Sequence, residues 1–396
     1  MGRNVLPGRL KPIEKLTLAD VEAVRLVLRG DSVIDWHRLN LSTVDEARRL
    51  LRSHELDPDE AADRARIESV KNEAIAFLRR QFDFPIPKPV ARATIEELLL
   101  IASGQGHRQL CACTILKAMH VIHHAEGREL LFCVPLSDQD VFRLVEDKVY
   151  RVVGGMLSAG FPITEFVGGR KNKDSLYTKL LSKRNASASE IYDKLRFRIV
   201  TRDADDILPV LHYLTEHLFP FSMCVAGESK ATIFDFRAFC LAHPHLRPMV
   251  RSFQTGRSVQ PAAPGQPGST PPGPLPEVAE PVARTVPGDA EGVGADGARN
   301  DNEFSAPAYR VIHFVVDLPI RVPASVLEAS PPAAWTLGPV VFVLCEFQVV
   351  DRETEASNER GEASHDAYKE RQRDAVMQRL KLGVRPQKVT ASKKRR

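Results

Sequence analysis

The chain has 396 residues, of which 43% are hydrophobic and 27% charged, a composition typical of a soluble globular protein with two or three domains. The net charge of +4 is too small to indicate that the whole chain binds nucleic acid. The six cysteines are scattered and form no CxxC pair, which argues against a zinc site and against a disulfide framework.

The sequence shows no feature of a secretory or membrane protein. Its start, MGRNVLPGRLKPIEKL, lacks the apolar core of a signal peptide. No apolar run approaches the roughly 20 residues that a transmembrane helix needs. We therefore expect a cytoplasmic protein that does not enter membranes.

The N-terminal part predicts helices. Two capping-box patterns, a proline in a first turn and two apolar segments mark where they lie. In chain order these signals are Thr17–Asp20, Ser42–Asp45, Asp57–Glu60, Thr94–Ser103 and Cys111–His124. Residues 1–128 are therefore expected to form an all-helical region, in which we find no enzyme motif.

After residue 128 the pattern changes to short apolar runs typical of strands. The predicted strands are Leu130–Leu136, Ile163–Gly169, Leu195–Thr201, Phe221–Gly227, Tyr309–Ile320 and Pro339–Val350. Asp205–Leu218 and the first part of Glu359–Leu382 predict helices between and after them. The expected fold class is α+β, with a mixed β-sheet flanked by helices and preceded by the helical region.

Residues 257–300 are rich in Pro, Gly and Ala and have almost no large apolar side chains, so we expect them to be disordered. They are either a linker between two domains or a long insertion within one. Two strands and a helix after them would make a poor core alone, which favours an insertion. We predict one domain from residues 129–256 and 301–378, and a basic disordered tail at 379–396.

A basic segment follows the second predicted strand, and two glycines at its start allow close approach of the backbone to a ligand. Its cations are Arg170, Lys171, Lys173, Lys179, Lys183 and Arg184. On a helix, Ser175 and Lys179 would share a face. Cations that converge at a flexible turn are what a polyphosphate site requires. The alternative is a solvated basic helix face, which is the commoner meaning of an isolated basic run.

Two strands carry charged residues at alternate positions. Arg196 and Arg198 share a face just after Asp193, and Glu346 and Gln348 share a face near the end of the last strand. A buried carboxylate needs a partner, and a metal ion held between Asp193 and Glu346 would be one. Surface ion pairs are the alternative interpretation.

Tyr309 and His313 are four residues apart in the strand that follows residues 257–300, so they are expected to face the same way. Tyr309 can stack on a base and His313 can donate to phosphate. The alternative is a core aromatic residue and a histidine with protein partners.

In this order, the segments GGRKNKDSLYTK, EIYDKLRFRI, YRVIH, EFQVVD and ERGEASHDAYK resemble the synthetase domain of the RelA/SpoT family, which makes the alarmone (p)ppGpp. The last segment matches the pattern E-x-G-x-A-x-H-x-x-Y-K at every fixed position. The resemblance covers about residues 160–372. It implies a nucleotidyltransferase-like fold and transfer of pyrophosphate from ATP to the 3′-hydroxyl of GDP or GTP.

The resemblance also implies roles for individual residues. Asp193 and Glu346 would bind Mg²⁺, with Mn²⁺ as an alternative, and Glu346 can instead be the base, with Gln348 beside it. Tyr309 would stack on guanine, with His313 near the phosphates of the acceptor. The remaining residues assigned to substrate or phosphate are Arg170, Lys171, Lys173, Ser175, Lys179, Arg196, Arg198, His365 and Lys369.

This sequence departs from the family pattern at several positions. Arg196 stands where the family has glycine, Val311 where it has serine, and a valine where E-x-Q-x-R-T has arginine. These changes leave two alternatives open, a nucleotide sensor without catalysis and transfer to another acceptor such as a tRNA. The basic tail at 379–396 would suit RNA binding, although simple disorder is the favoured interpretation.

Long members of the family carry a hydrolase domain whose metal site needs adjacent His and Asp. The N-terminal region has His120, His123 and His124 but no His-Asp pair, so we expect no hydrolase. Residues one helical turn apart can share a metal. A packed or solvated histidine cluster is the favoured interpretation.

Overall fold

The computed structural model describes residues 10–29, 39–170, 172–182, 194–233, 235–247 and 306–381. Its helices there are α1 Leu18–Arg29, α2 Val44–Ser53, α3 Ala61–Phe82, α4 Lys88–Arg92, α5 Ile95–Ala102, α6 His107–Cys133, α7 Asp138–Ser158, α8 Lys173–Ser182, α9 Ile207–His217, α10 Phe236–Ala242, α11 Ala324–Glu328, α12 Pro332–Trp335, α13 Arg352–Asn358 and α14 His365–Lys381. The strands are β1 Ile163–Arg170, β2 Leu195–Thr201, β3 Lys230–Ala231, β4 Ile312–Arg321 and β5 Val340–Asp351. The predicted α+β class is confirmed.

Side-chain caps explain where several N-terminal helices begin. Thr43 caps α2 and Thr94 caps α5, each in a reciprocal pair with the glutamate three residues later. The prediction that Ser42 begins the first of these boxes is wrong by one residue, because Glu46 rather than Asp45 reaches back to the cap. The expected pair of Thr17 and Asp20 is present before α1.

The segment Asp57–Glu60 does not open a helix in the predicted way. It forms a turn before α3, which begins at Ala61. The carbonyl of Pro58 accepts a hydrogen bond of 2.7 Å from Nε of Arg64, and the Asp57 N–H donates to Asp63. The proline therefore belongs to a turn that leads into α3 rather than to the first turn of α3.

The prediction of a strand at Leu130–Leu136 is wrong. Most of that run is the end of α6, whose buried positions recur every three or four residues up to Leu130. Phe132 is exposed, as the helical period requires. A short apolar run has no periodicity of its own that separates a strand from a helix. The predicted domain boundary after residue 128 falls inside α6.

Helix α7 was not predicted. It has a complete capping box at Ser137 and Asp140, and valines bury one face at positions 141, 145, 149 and 153. The spacing of four residues was the signal that could have identified the helix.

The five strands form one sheet in the order β1-β2-β5-β4-β3. β2 and β5 are parallel, and the other neighbouring pairs are antiparallel, so the sheet is mixed as predicted. The predicted strand Phe221–Gly227 is instead a short 3₁₀ turn followed by a single bridge between Cys224 and Val316. Tyr309 precedes β4 and does not lie within it.

One face of the sheet carries a row of stacked phenylalanines across four strands. Phe166, Phe197, Phe347 and Phe314 follow one another with ring centroids 5.4–6.3 Å apart. The last three are fully buried. Such cross-strand aromatic pairs add about 0.5–1.5 kcal/mol each beyond their buried area. α7 packs on this face, where Tyr150 meets Phe166 and Phe197 edge-on.

Three buried histidines, His54, His120 and His123, form what we call the histidine cluster. They line an apolar cavity of about 70 Å³ between α2, α3, α5 and α6. Burial lowers the pKa of His54 to about 4 and those of His120 and His123 to about 3. His124 lies apart from the cavity. Its ring stacks on Phe342, and its Nε2 is 2.5 Å from Oδ2 of Asp317.

Among the helices of the described ranges, none combines the length and the apolar character needed to cross a membrane.

Candidate functional site

Polar side chains collect on the face of the sheet opposite the phenylalanines. β2 and β5 pair in parallel so that Arg196 lies beside Glu346 and Arg198 beside Gln348. β4 pairs with β5 so that His313 lies opposite Gln348. Residues paired across neighbouring strands share a face. The five residues Arg196, Arg198, His313, Glu346 and Gln348 are called the polar site below. The prediction that Arg196 shares a face with Arg198, and Glu346 with Gln348, is confirmed.

Glu346 is the buried centre of the polar site, with a side chain only 4% exposed. Its Oε1 accepts a hydrogen bond of 2.7 Å from Gln348 and lies 3.4 Å from Nε2 of His313. Its Oε2 is 3.1 Å from Nη2 of Arg196. Burial alone would raise the pKa of Glu346, but the charge of Arg196, helped by His313, outweighs burial and holds the pKa well below its usual value. The carboxylate is therefore ionised and weakly basic.

Arg198 links Glu346 to the end of the sheet. It donates to Oε1 of Gln348 at 2.9 and 3.1 Å and to Oε1 of Glu355 at 2.6 Å. Its Nη2 is 3.4 Å from the hydroxyl of Tyr309. One continuous chain of charge-assisted hydrogen bonds thus runs from Glu355 through Arg198 and Gln348 to Glu346.

Glu355 was missed by the sequence interpretation. It lies in α13, which begins directly after β5 and is capped by Asp351. The signal was an acidic residue within one helical turn of a strand that already carried charged side chains. Its second oxygen, Oε2, is buried and accepts no hydrogen bond.

A small apolar patch adjoins the polar site. It consists of Val200, Val311 and Val350, which are buried, with Ile233 and Tyr309 packed against them. Tyr309 was predicted to face the same way as His313 within one strand. It lies before β4, yet it still reaches the site through Arg198. The partly exposed members of the patch, Ile233 and Tyr309, are the side chains against which a base could pack.

Arg170 does not lie with the polar site, and its predicted contact with ATP phosphates stays a prediction. In β1 it pairs with Leu195, so it lies on the phenylalanine face. Its guanidinium makes two bonds of 3.0 and 3.1 Å to Glu146 of α7 and lies over the ring of Phe142. The alternation of side chains in a strand separates it from Arg196 by the thickness of the sheet.

The other predicted cations form a second group. Lys173, Ser175 and Lys179 lie on α8, which packs along α14, the helix that carries Lys369 and begins at His365. Arg379 at the end of α14 donates to the carbonyl of Leu181 at 2.8 Å. The structure therefore brings the described part of the basic segment together with the helix of the closing motif.

Several predicted features lie outside the described residues. These are Lys171, Asp193, the segment 257–300 and the basic tail beyond residue 381. The prediction that Asp193 and Glu346 share one metal ion therefore stays a prediction.

The described residues alone do not fit a magnesium ion. At the polar site they offer the carboxylate of Glu346, both of whose oxygens already have protein partners, and the neighbouring Glu355 is already bound to Arg198. Mg²⁺ prefers six oxygen ligands and usually takes one or two carboxylates together with waters and phosphates. No group of three or more His, Cys, Asp or Glu residues in the described part of the chain is arranged to hold a metal. The guanidinium of Arg196 occupies the position next to Oε2 of Glu346 that a bound metal ion would take.

No protein-family model and no curated protein matches the chain. Among solved structures, it is similar to small alarmone synthetase 1 from Bacillus subtilis, with 14% identity, 61% of this chain and 86% of that chain covered, and a TM-score of 0.27. The same enzyme bound to its product pppGpp gives 15% identity, coverage of 66% and 90%, and a TM-score of 0.24. A GTP pyrophosphokinase family protein from Streptococcus pneumoniae has 13% identity to this chain and a TM-score of 0.26. The match covers 61% of this chain and 84% of that chain. Likeness at this level assigns no activity to this chain.

Proposed function

We propose that the polar site binds nucleoside polyphosphates and supports transfer of pyrophosphate from ATP to the 3′-hydroxyl of a guanine nucleotide. The observation that carries this proposal is the convergence of motif residues that are far apart in the sequence. Arg198, His313 and Glu346 come from three motifs of the RelA/SpoT-like pattern, and all three lie on one face of adjacent strands.

Charged and hydrogen-bonding groups of the site support the proposal of such a transfer. The 3′-oxygen of the acceptor would attack the β-phosphorus of ATP, the bond from that phosphorus to the bridging α–β oxygen would break, and AMP would leave. Arg198 would neutralise charge on the phosphates, and His313 would donate a hydrogen bond to them. The hydroxyl proton would leave with solvent, because the low pKa of Glu346 makes this carboxylate a poor base. Glu346 would instead orient the hydroxyl by accepting its hydrogen bond.

The apolar patch and Tyr309 would hold the base of one nucleotide. Burial raises the pKa of the Tyr309 hydroxyl, so the phenol stays protonated at neutral pH. Since Arg198 contacts both Gln348 and Tyr309, it would couple recognition of the base to the arrangement of Glu346.

One observation favours a second candidate, a nucleotide sensor without catalysis. Arg196 compensates Glu346 within the chain and occupies the oxygen that a metal would use in phosphoryl transfer. Such a site can bind phosphates while lacking the metal-assisted step. Both candidates predict that the polar site binds nucleotides, and only the enzyme predicts that pyrophosphate is transferred.

The test is incubation of the full chain with labelled ATP and an acceptor, which is GDP, GTP or tRNA, in Mg²⁺ or Mn²⁺. If the rate of transfer falls by about 100-fold or more in Glu346→Gln, the result would support catalysis at the polar site. A loss of this size is typical when a group that acts in the transition state is removed. Arg202→Ala is the matched control, because Arg202 directly follows β2 and its ion pairs with Asp203 and Asp206 are at the surface. Binding without transfer to any acceptor would select the sensor, and absence of both would refute the proposal.

A further inference from the structure

Arg196 has a position that the sequence pattern does not anticipate. It pairs in register with Glu346, and its side chain is 35% exposed while that of Glu346 is 4% exposed. The guanidinium therefore reaches from a buried carboxylate to the solvent side of the polar site. This is the position in which a cation could touch Glu346 and a bound phosphate at once.

A guanidinium suits this position for two reasons. It remains charged at every physiological pH, so the compensation of Glu346 does not depend on protonation. It also presents several N–H groups in one plane, which matches both carboxylate and phosphate oxygens. A side chain with these properties can join the protein to a nucleotide in the way that a bridging metal ion does.

The rest of the polar site is charge-balanced without a metal. Arg198 is paired with Glu355 at 2.6 Å, and Arg196 is paired with Glu346 at 3.1 Å. Lys230 of β3 lies in register with His313 and adds positive charge at the edge of the site. The two acids at and beside the polar site, Glu346 and Glu355, therefore already have arginine partners without a metal ion.

A divalent ion would compete directly with Arg196. To reach Oε2 of Glu346 it would have to displace the guanidinium from its contact and would then face a fixed positive charge next to it. We propose that Arg196 takes the place of a divalent cation at Glu346, so that a nucleoside di- or triphosphate binds the polar site without a metal ion. This inference rests on the proposed function insofar as it assumes that the ligand is a nucleotide.

The first experiment measures the affinity of the full chain for GDP and for ATP by calorimetry, once in Mg²⁺ and once in EDTA. We expect the Kd of the natural chain to change less than about threefold between the two conditions. In Arg196→Ala we expect binding in EDTA to weaken by about tenfold or more and to recover when Mg²⁺ is added, because the ion can now reach Glu346. Arg196→Lys keeps the charge and should stay independent of metal, and Arg202→Ala should resemble the natural chain.

The inference is overturned if nucleotide binding by the natural chain is lost in EDTA and Arg196→Ala behaves in the same way. It is also overturned if Arg196→Lys gains the metal dependence of Arg196→Ala, since charge would then not be the cause. Thermal unfolding of each variant shows whether the compared proteins are folded.

The second experiment does not depend on nucleotide. Binding of Mn²⁺ to the chain alone, followed by electron paramagnetic resonance, should show no site that needs Glu346 in the natural chain and a new one in Arg196→Ala. That new site should disappear in Arg196→Ala combined with Glu346→Gln. A Mn²⁺ site in the natural chain that is lost in Glu346→Gln would refute the inference.

The two proposals fail in different ways. Absence of pyrophosphate transfer with metal-independent binding would contradict the enzyme and leave Arg196 in its inferred role. Absence of nucleotide binding under all conditions would contradict the proposed function and the nucleotide part of the inference. The Mn²⁺ measurement would then decide whether Arg196 keeps a divalent ion from Glu346.

Discussion

The ion pair of Arg196 and Glu346 should be measurable as a coupling free energy. At 3.1 Å, two unit charges in a medium of effective dielectric constant about 20 attract by about 5 kcal/mol. Because about a third of the Arg196 side chain is exposed, solvent screening reduces this, and we expect a coupling of about 2 kcal/mol. The variants Arg196→Met and Glu346→Gln, alone and combined, form the cycle that isolates it.

The assay is urea unfolding of the four proteins at pH 7. Arg196→Met leaves a buried carboxylate without its main counter-charge and should cost about 2–3 kcal/mol. Glu346→Gln leaves a partly exposed arginine and should cost about 1 kcal/mol. The double variant should cost no more than about 1–2 kcal/mol, because its neutral groups need no counter-charge.

The dependence on pH gives a second check. The pKa of Glu346 is lowered from 4.5 in the folded chain, so the stability that its ionisation contributes is present above pH 4.5 and is lost as the pH falls further. The coupling should therefore be constant between pH 5 and 8. Additive losses within about 0.5 kcal/mol at pH 7 would refute the reasoning, because additivity means that the two groups do not interact.

Three further predictions test other parts of the structure. Arg170→Ala should leave the Kd for nucleotide within about twofold of the natural value in calorimetry, because Arg170 lies on the other face of the sheet; a tenfold loss would restore its predicted role. Gly127→Ala should lower the free energy of unfolding by about 1–3 kcal/mol, because the new Cβ would lie 2.5 Å from a ring carbon of Phe342 and 2.8 Å from the backbone oxygen of Val340. Gly154→Ala is the control, since its Cβ meets no atom within 4 Å and the change should be neutral or stabilising. Burial keeps the histidine cluster neutral, so the stability that depends on its neutral form should be fully present above pH 6.5 and should fall as the pH drops below 6.5. His54 alone, with a folded pKa of about 4, accounts for about 2–3 kcal/mol of lost stability at pH 4.5. An unchanged urea midpoint between about pH 7 and 4.5 would contradict this.

The polar site could be predicted from the sequence as far as strand periodicity reaches. Arg196 with Arg198, and Glu346 with Gln348, share a face because side chains alternate in any strand. That these two pairs meet depends on the parallel pairing of β2 with β5, which joins segments about 150 residues apart and has no local signal. The motif resemblance supplied that link, and the register confirms that the pairs lie side by side.

The separation of Arg170 from the polar site arises from register. Whether this residue joins Arg196 or lies on the other face depends on which residue of β2 it pairs with, and a shift of one residue would reverse the answer. The observed partner is Leu195. The sequence carried the positive charge but not the pairing, so a basic turn was assigned to phosphate when its first arginine binds Glu146.

Helix α6 of the N-terminal helical region covers one end of the sheet face that carries the polar site. Phe342 and Glu346 are four residues apart in β5 and therefore lie on the same face, about 13 Å from one another along the strand. α6 covers the Phe342 end of that face, where a Cβ on Gly127 would strike the ring and where His124 stacks on it. Among the described residues, α6 leaves uncovered the end of this face that begins at Glu346. If a nucleotide binds the polar site as proposed, we expect it to approach over Arg196 and Arg198, where the guanidinium of Arg196 is a cation that its phosphates could share with Glu346.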